Sequence, residues 1–152
     1  MSVYHVEKSK LPVVVFQADG SVMKGVVFLS ASAYSHTGQQ SLLDLMRGPG
    51  DFFPFCTDAG AFCVANKQTI THIRVDPPTE ASTYEPLGER EDVDIKFVGG
   101  EQLSGTVTIE GPDGRNRLFD FFNSMKDYFL LQNQEAYYLV NVKQIRDVNP
   151  RP

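Results

Sequence analysis

At 152 residues, with 41% hydrophobic and 22% charged side chains, the chain has the composition of a folded protein, either one ordinary domain or two very small ones. Its net charge of −5 and isoelectric point near 5.1 set up a field that repels nucleic acid and anionic membrane surfaces, and no Lys/Arg run reverses it locally. Two cysteines, Cys56 and Cys63, are too few for a disulfide scaffold or a four-ligand zinc site, and no metal or cofactor motif is present.

Residues 1–11 read as an N-terminal arm without the apolar stretch of a signal peptide. No segment approaches the roughly 20 apolar residues of a membrane helix, so a cytoplasmic protein with no membrane partner is expected. The rest of the chain reads as a tandem duplication. Val13, Val15, Gly20, Gly25 and Val27 recur as Val93, Ile95, Gly100, Gly105 and Val107. After a shorter loop, Leu42, Asp44, Asp51 and Phe53 recur as Leu118, Asp120, Asp127 and Phe129, and Asn66 and Ile70 as Asn141 and Ile145. Repeats of this kind organise the whole fold. The expected units are 12–76 and 92–150, joined by an acidic, Pro-containing linker over 77–91.

Each unit opens with a hairpin whose apolar residues alternate with polar ones, the pattern of half-buried strands. The turns are Ala18-Asp19-Gly20 and Val98-Gly99-Gly100. A three-residue loop ending in a left-handed glycine pairs Val15 with Met23 and Ile95 with Leu103, which keeps cross-strand partners on one face. Gly25 and Gly105 lie mid-strand on the inward side, where glycine marks a bend or a close backbone approach. A bend there would let a small barrel close. The loops 31–40 and 111–116 differ in length between the units.

A short helix follows, with Leu42, Leu43, Leu45 and Met46 on one arc and Asp44 opposite, and with Asp120 in the same place in the second unit. Ser41 and Asp44 have the spacing of a capping box. A second hairpin is expected over Phe52–Thr57 and Ala61–Asn66, and again over Tyr128–Gln132 and Tyr137–Asn141. A single turn then leads into the last strands, Ile70–Val75 and Ile145–Val148. The fold class is therefore mainly β with two short helices, as two tandem β-β-α-β-β-β repeats forming small barrels in a pseudo-twofold relation.

The hairpin from Val15 through Asp19-Gly20 to Gly25 resembles the first motif of Sm-like and SH3-like small barrels, and the short turn before the last strand fits that class. The helix lies between strands two and three rather than before strand one, and the second Sm motif is missing, so RNA binding is not implied. The D-G hairpin, the L-x-D-L at Leu42–Leu45, the F-x-P-F-x-T-D-A from Phe52 to Ala59 and the Asn before the final Ile strand are also similar to an uncharacterised bacterial family of small proteins. That resemblance implies structure and no activity.

Four groups could carry chemistry or binding. Asp44 and Asp120 would form a carboxylate pair if the two helices met, yet on solvated faces they only favour the helix N-terminus. With a two-residue Ala59-Gly60 turn, Cys56 and Cys63 would face each other as reduced thiols, at a hydrogen-bonded position poorly suited to a disulfide. His5, His36 and His72 share no motif, and no nucleophile elbow or phosphate loop is present, so no enzyme, no catalytic residue and no cofactor are expected. The aromatics Phe52, Phe53, Phe55, Tyr128, Phe129, Tyr137 and Tyr138 are in surplus. Consecutive residues on a strand point to opposite faces, so Phe52-Phe53 and Tyr137-Tyr138 cannot both serve one core. Their outer face is expected either to pack repeat on repeat or to form an interaction surface of Phe52, Phe53, Phe55, Tyr128, Tyr137 and Tyr138. The function expected is a protein-interaction or assembly module, with a protein partner or self-association and no nucleic acid. The alternative is a small-ligand-binding regulatory domain with a pocket between the repeats near Gly25 and Gly105.

Overall fold

A computed structural model of the chain describes residues 8–30, 42–76, 88–109 and 117–151. The elements in chain order are β1 (Lys8–Gln17), β2 (Val22–Ser30), α1 (Leu42–Arg47), β3 (Phe52–Thr57), β4 (Phe62–Asn66), a 3₁₀ turn over Lys67–Thr69 and β5 (Ile70–Val75). They are followed by β6 (Glu89–Phe97), β7 (Gln102–Ile109), α2 (Arg117–Ser124), β8 (Tyr128–Gln132), β9 (Tyr137–Asn141), a second 3₁₀ turn over Val142–Gln144 and β10 (Ile145–Pro150). The strands β1 and β6 thus begin inside the segments expected as arm and linker. The loops 31–40 and 111–116, Ser41, His5 and His36 lie outside the described residues.

The first hairpins have the register that their turns predict. Val15 stands opposite Met23 and Ile95 opposite Leu103. Gly20 and Gly100 take φ of 91° and 98°, a left-handed conformation that disfavours any side chain. Helix α1 also follows its wheel, with Leu42 and Met46 buried and Asp44 exposed, whereas on α2 Phe119 stays 68% exposed.

All ten strands form one open sheet in the order β10-β6-β7-β8-β9-β5-β1-β2-β3-β4. Two closed barrels are not what forms. The barrel does not close because the outer edge of β5 is taken by β9, through His72↔Val140, Ile73↔Leu139, Arg74↔Tyr138 and Val75↔Tyr137. Nor does the strand order give the expected pseudo-twofold contact, which would pair like with like. The fifth strand of one half meets the fourth strand of the other, a heterologous contact.

Two cores lie along this sheet. The first collects Val13, Val15, Val27, Phe53, Phe55, Ile70 and Ile73 from β1–β5, with Leu42 and Met46 of α1. The second collects Val93, Ile95, Phe97, Val107, Phe129, Leu131 and Val140, with Phe121 and Phe122 of α2 packed against it. Adjacent strands are only about 4.8 Å apart, so one core touching five strands requires each half to bend around it. Gly25 is flanked on both sides, opposite Val13 of β1 and Thr57 of β3. A Cβ there would stand 2.1 Å from the Cys56 carbonyl oxygen, and one at Gly105 would stand 2.7 Å from Leu131 Cγ. Close backbone and side-chain approach, rather than barrel closure, explains both glycines.

Candidate functional site

The junction of the two halves is built by β8 and β9, whose alternating side chains serve both cores. Phe129, Leu131, Tyr138 and Val140 enter the second core, while Tyr128 and Leu139 enter the first, with Leu130 and Tyr137 packed against it. The doublets Tyr128-Phe129 and Tyr137-Tyr138 therefore split one residue to each side, as strand geometry demands.

Hydrogen bonds tie this junction together. The Tyr128 hydroxyl donates to the Lys67 carbonyl at 2.5 Å, and burial pushes its pKa up. The Arg47 guanidinium donates through Nε to the Tyr128 carbonyl at 2.9 Å. Lys67 turns inward, and its Nζ donates to the Leu45 and Gly48 carbonyls at 2.9 and 3.3 Å. An ammonium there satisfies carbonyls that the end of α1 leaves without helical partners. Burial lowers the Lys67 pKa, and the Asp127 and Asp51 carboxylates offset part of that shift.

Asn141 is buried and its oxygen accepts from the Lys143 amide at 3.1 Å, capping the second 3₁₀ turn. Its Nδ2 meanwhile donates to the Ile70 carbonyl at 2.9 Å and reaches the Lys67 and Gln68 carbonyls at 3.4 Å each, across the junction. Gln144 Nε2 adds a bond to the Gln68 carbonyl at 2.8 Å.

His72 is a further buried titratable group at the seam. Its ring stacks between Phe16 and Phe97, with centroids 4.2 and 5.1 Å away, and meets Tyr138 edge-on at 5.9 Å. The Thr71 hydroxyl lies 2.9 Å from His72 Nδ1 and donates to the Phe16 carbonyl at 3.1 Å, so Nδ1 carries the hydrogen in that pair. Burial pushes the imidazole down to about 4. No sequence motif marked His72, because its partners come from both halves.

The expected interaction surface is divided by this arrangement. Phe53 and Phe55 belong to the first core, and Tyr128 and Tyr138 are buried at the junction. Tyr137 is half-buried, and Phe52 alone of the six is widely exposed, at 56%. Its neighbours on the bare face are Phe62 and Val64, at 67% and 59%, which the sequence reading missed. Both sit in β4, an outer edge of the sheet.

The cysteines do not face each other, since Cys56 pairs with Phe62 and Cys63 with Phe55. The turn is a three-residue loop, Asp58-Ala59-Gly60, closed by Thr57 N donating to the Ala61 carbonyl and ending in left-handed Gly60. It has the form of the Gly20 and Gly100 turns and shifts the pairing by one residue. Both thiols are free.

Asp44 and Asp120 are exposed on helices packed against different cores. The space beside Gly25 is filled by the Cys56 carbonyl and the Phe55 ring, and that beside Gly105 by Leu131 and the Gln132 carbonyl. A cleft of about 110 Å³ lies instead at the junction, lined by Met46, Asp51, Lys67, Asp127, Asn141 and Lys143 among others. No described helix is long and apolar enough to cross a membrane. Comparison with family models, curated proteins and solved structures found no match.

Proposed function

We propose that the protein is a non-enzymatic interaction and assembly module made of two duplicated units of small-barrel type. The observation that carries this reading is the exposed apolar face of Phe52, Phe62 and Val64 on a sheet edge that no other strand among the described residues pairs with. Exposed apolar side chains beside free backbone donors and acceptors are what strand addition uses, the backbone supplying affinity and the side chains specificity. The ligand-binding alternative has weaker support, because a cleft of about 110 Å³ is small beside the usual organic-ligand pocket of roughly 300–1,000 Å³.

The test is association. Light scattering and pull-down on the wild type and on a Phe62→Ser, Val64→Ser double variant should show binding that the variant loses. A wild type that stays monomeric and retains no partner would remove the module reading. Turnover of any substrate that survives loss of this face would favour a catalytic role instead.

A further inference from the structure

The bare face of β3–β4 occupies the place in the first half that the junction face of β8–β9 occupies in the second. Position by position along these strands, Phe52 stands where Tyr128 does, Phe62 where Tyr137 does and Val64 where Leu139 does. Tyr128 and Leu139 are only 3% and 1% exposed because the first core covers them, whereas Phe52 and Val64 are more than half exposed.

The other end of the sheet carries the complementary deficit. Ile70 and Ile73 of β5 are fully buried under the β9 contact, but their counterparts Ile145 and Val148 of β10 remain half-buried. On α2, Phe119 is 68% exposed, while Leu43, at the same place on α1, packs against the first core. The local irregularities also match. The pairing of β1 with β5 slips at Thr71, and that of β6 with β10 slips at Arg146. Asn66 caps the first 3₁₀ turn as Asn141 caps the second.

A heterologous contact leaves both of its faces unused at the two ends of the array, and each such face fits the other. We propose that β4 of one copy pairs antiparallel with β10 of a second copy, repeating the β9·β5 junction between molecules. This proposal rests on the module reading above and names its partner as the same chain. Transferring the register of the internal junction pairs Phe62 with the partner's Pro150, Cys63 with the partner's Asn149, Val64 with the partner's Val148 and Ala65 with the partner's Asp147. Phe52 and Val64 then enter the second core of the neighbour, beside its Phe119, as Tyr128 and Leu139 enter the first. Asn66 Nδ2 donates to carbonyls of the neighbour's second 3₁₀ turn. Head-to-tail contacts of this kind close into a ring when their rotation permits and otherwise extend.

The contact between copies is weaker than the internal one. Asp147 stands where His72 is buried, beside Lys96 where Phe16 stacks. Pro150 has no N–H to give to the ladder. The internal junction is also tethered by the chain, which raises its effective concentration. The assembly therefore dissociates on dilution.

Two edge variants test this directly. Val64→Lys blocks the β4 side and Val148→Lys the β10 side, with circular dichroism checking that each folds. Light scattering of the wild type across a dilution series should give a whole-number multiple of 17.0 kDa at high concentration. Each variant alone should stay at 17.0 kDa, and a mixture of the two should give twice that mass, since each retains the edge that the other lacks. Asn149→Cys in a Cys56→Ser background should form an intermolecular disulfide under mild oxidation, lost when Cys63 is also replaced. A monomeric wild type at every concentration would overturn the proposal, and so would variants that assemble as the wild type does. A monomeric wild type whose β4 face captures a different protein would overturn this proposal alone and leave the module reading standing.

Discussion

The Tyr128 hydroxyl donates to the Lys67 carbonyl, joining the first residue of β8 to the 3₁₀ turn of the other half. Around this bond Lys67 reaches the end of α1 and Arg47 reaches back to the Tyr128 carbonyl, so one short loop of contacts fixes helix, turn and strand together. The first prediction concerns this bond. Tyr128→Phe keeps the ring in the first core and removes only the hydroxyl, leaving a buried carbonyl short of a donor. The expected loss in stability is about 1–2 kcal/mol by denaturant titration. An unchanged midpoint would mean that the bond contributes nothing net.

Asn141→Ala removes both the cap of the second 3₁₀ turn and the donor that serves the Ile70 carbonyl across the junction. Two sets of backbone groups lose their partner at once, so the cost should exceed that of Tyr128→Phe, at about 2–4 kcal/mol. Hydrogen exchange should rise first in β5 and β9. A loss confined to the segment after Asn141 would show that the cross-junction bond is dispensable.

Acid should weaken the seam through His72. The folded protein holds this imidazole neutral down to about 4, because burial among Phe16, Phe97 and Tyr138 disfavours the charged form. The unfolded chain protonates near 6.5. The unfolded state therefore binds more protons in that window, and stability falls as pH drops from about 6.5 to about 4 before levelling off. The total is about 3 kcal/mol. Comparing chemical denaturation of the wild type with that of His72→Gln across this range isolates the effect, since carboxylate contributions are common to both. Parallel pH profiles would refute it.

Gly25→Ala should be among the most damaging single-methyl additions in the described residues. The new Cβ would meet the Cys56 carbonyl and the Phe55 ring, and a strand backbone cannot move aside without breaking the β2·β3 pairing. The expected cost is about 3 kcal/mol. Gly105→Ala meets Leu131 Cγ at 2.7 Å and the Gln132 carbonyl oxygen at 2.8 Å, both less close than the 2.1 Å approach at Gly25, and should cost less. Thermal melts of the two variants should rank in that order.

Much of the local structure was legible because it is decided by neighbours in sequence. Gly20 and Gly100 select a three-residue loop, and that loop alone sets Val15 against Met23 and Ile95 against Leu103. The same rule applied at Gly60 would have given the correct pairing of Cys56 with Phe62, where a two-residue turn was expected instead. The face of α1 that carries Leu42 and Met46 was likewise set by helical spacing. The doublet Tyr137-Tyr138 required one ring on each face of β9, since one strand cannot turn two consecutive rings to one side, but left open whether the outer face packs repeat on repeat or meets a partner.

What covers those faces was decided only in three dimensions. Every strand edge presents the same backbone donors and acceptors, so residues 70–75 carry no local mark that β9 rather than β4 will pair with them. That choice turned two expected barrels into one open sheet. It buried His72 between rings from both halves, brought the Tyr128 hydroxyl to the Lys67 carbonyl, and left Phe52, Phe62 and Val64 bare where their counterparts are covered. By itself the sequence determined two runs of the same elements, their turns and their apolar faces, all of which follow from spacings of a few residues. The tertiary structure decided which edge meets which, because that depends on how well whole surfaces fit once the strands have bent around their cores.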